Sequence, residues 1–380
     1  MTDTRLDPPF RAEHIGSFLR PAALLAARAE HSTGKIPASA LRAAENIAIR
    51  DFVALQARLG FKTITDGEFR RSTYTANFTT EGLTGVSASQ TGEDAWAYTD
   101  ASGNKERARI PQVHDRIRWH NSTNATDFAE LMTIAKPITT ALPKITLPGP
   151  CYIHFRAGRN GISRDVYPDL AAFWSDLVEA YTVELQKLYD AGCRYVQLDE
   201  TSIAKLGDEK IRGELAARGD DWQTLAATYV DVINAIAARA PKDMRVGLHL
   251  CRGNRMGHWQ AEGGYDLVAE KLFRDCAVDF YFLEYDSERA GSFAPLRALP
   301  AHKCVVLGIL STKVAELETE AFVEARIRDC ARVVDLERLA LSPQCGFSSS
   351  EKGNTIMSHD QAVAKLARVI DIARKVWPQA

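Results

Sequence analysis

The sequence predicts an α/β fold and, within that class, a (β/α)8 TIM barrel with an insertion after its second strand. Three observations lead there. Short apolar runs alternate with longer amphipathic ones along most of the chain. The apolar runs number eight, the count that closes such a barrel, and 380 residues suits a barrel with insertions. No Gly-x-Gly-x-x-Gly follows the first run, which disfavours the competing open, doubly wound dinucleotide fold. Strands alternating with helices imply right-handed crossovers and a parallel sheet. One domain, residues 1–380, is expected, with 70–143 as an insertion inside it.

In chain order, the candidate strands are 11–17, 63–69, 144–149, 195–200, 245–250, 279–285, 303–310 and 339–345. Each is a short apolar run closed by glycine, proline or a polar break, such as Gly16-Ser17, Asp66-Gly67-Glu68 and Gly149-Pro150. Helical patterns cover 38–59, 168–190, 222–239, 263–274, 316–334 and 358–376. In the last, apolar residues recur at helical spacing through Ala362, Leu366, Val369, Ile370 and Ala373. The stretch from Phe69 to Lys144 breaks this rhythm and is unusually polar between Gly85 and Gly103. A connection that long carries its own structure or a function. A hairpin using Trp96, Tyr98 and residues 110–113, covering the barrel mouth, is the expectation.

Composition narrows the function classes. Hydrophobic residues make up 46% and charged residues 25%, values of an ordinary soluble globular protein. A net charge of −2, with no basic stripe, argues against nucleic acid. The absence of an apolar leader or a long apolar span argues against secretion and membrane insertion. The seven cysteines are odd in number and widely spaced, which favours reduced thiols in the cytoplasm. Homo-oligomerisation is left open.

The chemistry gathers at strand ends, where barrels of this kind build their sites. In an extended run His249 and Cys251 face the same way, and imidazole and thiolate are ligands zinc prefers. Glu284 closes the aromatic run Phe280-Tyr281-Phe282-Leu283, where a charge needs a partner or a metal. Cys345 closes the eighth run. Barrel closure brings these four around one mouth as a tetrahedral set of two sulfurs, one nitrogen and one oxygen. Two thiolates lower the Lewis acidity of zinc, so such a site suits activation of a thiol substrate for alkylation. Asp199 and Glu68 offer carboxylates for an ammonium group. The backbone at Ile15-Gly16-Ser17, where glycine permits close approach, offers a place for a carboxylate. Together these would grip an α-amino acid.

Ile15-Gly16-Ser17, Gly67-Glu68, Gly149-Pro150, Gln197-Leu198-Asp199-Glu200, His249-x-Cys251, Glu284 and Cys345-Gly346 occur in an order and spacing that resembles the catalytic domain of cobalamin-independent methionine synthase. The resemblance covers nearly the whole chain. It implies Zn2+ as cofactor, with His249, Cys251, Glu284 and Cys345 similar to the zinc ligands. It makes Ile15, Ser17, Glu68 and Asp199, around Gly16, similar to the residues that hold homocysteine. The implied reaction moves a methyl group from 5-methyltetrahydrofolate or another donor to a homocysteine-like thiol. Departures fall on the donor side. The family's catalytic histidine follows the seventh strand, where this chain has Gly308-Ile309-Leu310-Ser311-Thr312-Lys313. A pterin-stacking tryptophan near Gly149-Pro150 is replaced by Cys151-Tyr152-Ile153-His154-Phe155-Arg156. Proton delivery would then pass to Lys313 or His154. The alternatives are an alkyltransferase joining another thiol to another electrophile, as in epoxide-to-thiol transfer, and a non-catalytic, zinc-stabilised ligand-binding barrel.

Overall fold

The structure is a computed structural model that describes residues 8–88, 97–99, 105–107 and 110–378. Helices α1 (Ala22–Ser32) and α2 (Ala38–Leu59) come first; α2 stops where Gly60 takes φ 101°, a left-handed cap that favours glycine. Strand β1 (Thr63–Ile64) follows, then β2 (Leu83–Ala88), β3 (Ala97–Thr99), β4 (Lys105–Arg107) and β5 (Pro111–Trp119). Helix α3 (Asn124–Ala135) returns the chain to β6 (Leu142–Pro143) and β7 (Ile145–Pro148). Helices α4 (Tyr152–Ala157) and α5 (Leu170–Asp190) lead to β8 (Tyr195–Asp199). Helices α6 (Ser202–Lys205), α7 (Glu209–Ala217) and α8 (Trp222–Ala237) lead to β9 (Arg245–Leu250). Then come β10 (Phe280–Glu284), β11 (Cys304–Leu310), α9 (Glu320–Cys330), β12 (Leu339–Pro343) and α10 (His359–Val376). Side chains fix several starts: Asp169 caps α5, Asp221 caps α8, and Ser358 with Gln361 forms a capping box on α10.

Strands β7 to β12 form one parallel sheet in sequence order. Beyond β12 the ring continues through a parallel bridge from Leu341 to Ala12. There Glu13 N–H donates to Leu341 O and Leu341 N–H to Arg11 O, each at 2.9 Å. On its other side this first segment is joined by Thr65 Oγ1, which donates to Gly16 O at 2.8 Å. Strand β1 pairs in parallel with β6, which runs on into β7. The fold is a (β/α)8 barrel, and strands β8, β10 and β12 are buried along their whole length, as apolar runs covered on both faces should be.

Alternation along the strands layers the interior. Phe10, Ile15, Tyr195, Phe280, Phe282, Val306 and Ala340 form a small apolar cluster within the ring. On β8 the inward residues Tyr195, Gln197 and Asp199 step from that cluster toward polar surroundings. Lys144, fully buried, donates to Gln197 Oε1 at 3.0 Å and pairs with Glu13 at 3.3 Å.

The differences from the expected elements have local causes. Segment 11–17 makes a bridge rather than a strand, because Gly16 at φ 137° leaves the extended region. The second strand stops at Ile64, before a turn in which Gly67 (φ 70°) and Glu68 (φ 59°) are left-handed. The helix expected over 263–274 is only a π-helical turn, Glu270–Arg274, with Gly263 and Gly264 resisting a longer one. Within 70–143, β2 pairs antiparallel with β5 and β3 with β4, while α3 is a barrel crossover. Tyr98 lies in β3 and Val113 in β5, paired with Val86; Trp96 lies outside the described residues. No helix among the described residues is long and apolar enough to cross a membrane.

Candidate functional site

Strand β9 delivers two side chains to the C-terminal mouth of the barrel, His249 and, just past the strand end, Cys251. Cys345 arrives from the turn after β12. One ligand atom from each of these three lies within 4.8 Å of the other two, and all three residues are buried. The two turns are tied together, for Asn254 Nδ2 donates to Gly346 O at 2.6 Å. A Cβ at position 346 would lie 1.9 Å from Ser17 Oγ, so any side chain there would push the Ser17 hydroxyl aside.

The thiols share a hydrogen bond. It lowers Cys251, helped by the His249 ring, and raises Cys345, so Cys251 is the thiolate of the pair. Burial opposes charging of His249, but the Cys251 thiolate and the Asp199 and Glu284 carboxylates raise it. His249 is 2% exposed, yet neither ring nitrogen has a hydrogen-bond partner of ordinary geometry among the described residues. Buried imidazole nitrogens are ordinarily satisfied. An unengaged imidazole beside two thiol sulfurs is a donor set that fits a soft divalent cation.

Glu284 lies next to this group but outside the set that meets within 4.8 Å. Its Oε2 accepts from Arg252 N–H at 2.8 Å and lies 3.9 Å from Lys313 Nζ, while Oε1 pairs with Arg289. Burial pushes this carboxyl up, but Lys313, Arg289 and Arg252 together bring it to about 2. Lys313 Nζ is buried without a hydrogen-bond partner among the described residues.

The cluster opens on a cavity of about 690 Å³, lined also by Ile15, Ser17, Glu68 and Asp199. Glu68 Oε1 accepts from Thr146 Oγ1 at 2.7 Å, and its Oε2 is buried without a partner among the described residues. Asp199 accepts from Gln197 Nε2 at 2.7 Å. Burial raises Asp199 to about 7, with Glu68 and Cys251 adding to it and His249 and Gln197 opposing. At Gly16 a Cβ would meet Thr146 at 2.7 Å, so only glycine lets the Ile15–Ser17 backbone pass. Ala88 of β2 and Pro111 of β5 line the same cavity, which brings the excursion between β1 and β6 to the barrel mouth. A larger cavity, about 850 Å³, is lined by Arg11, Cys304, Leu339 and Trp377 and holds none of the predicted site residues.

His154 stands apart from this wall. It is 2% exposed, its Nδ1 meets Tyr229 OH at 3.0 Å, and it packs against Phe173 and Trp174. Burial holds it down at about 4, so it is neutral at physiological pH. Sequence reasoning passed over Tyr152, Arg156, Lys205, Asn254 and Gln260, which all line the cavity. Lys205 and Arg156 carry no signal that would have found them: they lie within the short helices α6 and α4 that follow β8 and β7, where a cation is usually solvated.

A (β/α)8 barrel with an imidazole and two thiols gathered at its C-terminal mouth defines a barrel protein whose mouth offers a donor set that could hold a metal ion beside a cavity. Residues 10–374 match the family described as "Cobalamin-independent synthase, Catalytic domain", and the chain belongs to that family. It is 38% identical to the uncharacterized protein YxjH of Bacillus subtilis, over 99% of this chain and 97% of that one. It is 24% identical to the methionine synthase of Pyrococcus furiosus, over 95% of this chain and 91% of that one. Among solved structures, a putative vitamin-B12 independent methionine synthase from Listeria monocytogenes superposes with a TM-score of 0.77 at 34% identity, covering 97% of this chain and 98% of that one.

Proposed function

We propose that this protein is a zinc-dependent methyltransferase acting on the sulfur of a small thiol, with homocysteine as acceptor and methionine as product. The observation that carries the reading is the meeting of His249, Cys251 and Cys345 in a cavity that Glu68 and Asp199 also line. Relatives named methionine synthase, similar along nearly the whole chain, support it.

His249, Cys251 and Cys345, with Glu284 as the further ligand the family resemblance implies, would hold a zinc ion, which would supply the Lewis acidity that keeps a substrate thiol deprotonated. The rest falls to the chain. The free Glu68 Oε2 and the Asp199 carboxylate receive the ammonium group of the amino acid. An ammonium beside Asp199 offsets the burial that holds its proton on, and so restores its charge. The Ile15–Ser17 backbone receives the carboxylate, and the buried setting keeps water from the sulfur. Of the two groups proposed for proton delivery, Lys313 stands nearer the centre, 3.9 Å from Glu284, whereas His154 is enclosed by aromatic rings. The whole chain acts as one catalytic barrel in the cytoplasm, where its seven free cysteines stay reduced.

Metal analysis of the purified protein should return about one zinc per chain, the stoichiometry of a single Cys-His site. Cys251→Ser and Cys345→Ser should each lose zinc and lower methionine formation by more than about a hundredfold, beyond the loss of an outer-shell partner. Full activity in metal-free protein would end the reading. Transfer of another alkyl group to another thiol is favoured by one feature, the loop after β11, which has Ser311-Thr312-Lys313 where the folate enzymes of the resemblance have histidine. If homocysteine neither binds nor reacts while other thiols do, that second reading stands.

A further inference from the structure

The cavity has a second group of residues that binding of the thiol does not use: Tyr152, Arg156, Lys205 and Gln260. Lys205 ends α6, immediately after β8, and is 1% exposed. Its Nζ donates to Gln260 Oε1 at 2.8 Å and lies 5.8 Å from the Phe155 ring centre. No carboxylate among the described residues forms an ion pair with it. A lysine this deep ordinarily has an anionic partner. The two carboxylates whose charge reaches it, Glu200 and Glu284, are engaged elsewhere. Glu200 accepts from the Cys151 and Ser202 N–H groups at 3.0 and 2.6 Å. Glu284 is held by Arg252 N–H and Arg289. Burial, and then the charge of Arg156, hold Lys205 down at about 7. Arg156 and an ammonium that keeps only part of its charge near neutrality thus face one cavity without a carboxylate paired to Lys205, an arrangement that an incoming anion relieves.

We propose that Lys205, oriented by Gln260 and with Arg156 beside it, recognises a carboxylate or phosphate oxygen on the alkyl donor, so that the site selects anionic donors and rejects sulfonium and quaternary ammonium ones. The proposal rests on the reading of this cavity as a thiol-methylating site, and the test separates the two. Three methyl benzenesulfonates serve as probes, carrying at the para position a carboxylate, a methyl group or a trimethylammonium group. In each, the homocysteine sulfur bonds the methyl carbon as the ester C–O bond breaks and the sulfonate leaves with the electron pair. With the zinc-loaded protein, kcat/KM should fall in the order carboxylate, methyl, trimethylammonium, with at least about tenfold between the first two, as a charge-assisted hydrogen bond gives. Lys205→Met should shrink that spread to within about threefold, and Lys205→Arg should keep the order. Equal use of the three esters by the unsubstituted protein, a measurement that needs no variant, overturns the proposal. So does a Lys205→Met protein that discriminates as before. If no ester methylates homocysteine above the uncatalysed rate, the thiol-methylation reading itself has failed.

Discussion

Asp199 is held between burial and function. Its surroundings raise it to about 7, so near neutrality it carries only part of a charge, and the ammonium ligand proposed for it would supply the rest. Asp199→Asn keeps the Gln197 contact but removes the charge. It should raise KM for homocysteine by about thirtyfold or more, the ~2 kcal/mol or more that losing one member of a buried charge pair costs. Steady-state kinetics checks this; an unchanged KM would place the ammonium elsewhere. At this scale the sequence was informative where chemistry and period coincide. His249 and Cys251 sit two apart where a strand ends, and Cys345 follows another strand end, so their meeting was readable before the fold was known. Lys205 and Arg156 were not readable, because a lysine or arginine near a turn is usually solvated, and only closure of the barrel buries these two.

Between the apolar floor and the site lies a polar layer that joins elements rather than residues. Lys144 at the entrance to β7 pairs with Glu13 of the first segment and donates to Gln197 of β8; Gln197 in turn donates to Ile15 O at 2.8 Å and to Asp199. Two segments proposed to hold substrate are therefore positioned through one buried ammonium. Lys144→Met leaves Glu13 unpaired in a site with no exposure and should cost about 3–5 kcal/mol. Glu13→Gln combined with Lys144→Met should recover most of that loss, as read from urea unfolding. Element boundaries follow the same division between local and global causes. The start of α2 at Ala38 and its end at Leu59 agree with the hydrophobic period and the Gly60 stop. Segment 11–17 reads as a strand, but Gly16 takes φ 137° with the Thr146 methyl from across the barrel where a Cβ would sit, a neighbour no local pattern records.

Two buried histidines give the whole molecule a pH signature. Burial, with the Lys144 charge, lowers His14 to about 3; burial lowers His154 to about 4. Unfolded, both would titrate near 6.5. Between about pH 6.5 and 4 the unfolded chain therefore binds protons that the folded chain refuses, and these groups withdraw stability as pH falls through that window. His154→Phe should flatten the decline of the urea midpoint between pH 7 and 5 relative to the unsubstituted protein; an identical slope would mean that His154 charges within the fold.

The ring also has a seam. Sheet pairing is continuous from β7 to β12, whereas among the described residues the closure between Leu341 and the first segment is one bridge with its two backbone hydrogen bonds, to which Phe347 N–H adds a bond to Ser17 O at 3.1 Å. Cys345 lies just beyond one edge of that joint, and Ile15 and Ser17 lie on the other. An amino acid held by its sulfur at one edge and its carboxylate at the other would be a stitch across that joint. Amide exchange at residues 11–17 and at Leu341 should then slow when homocysteine binds, coupling occupancy to closure of the entire circle.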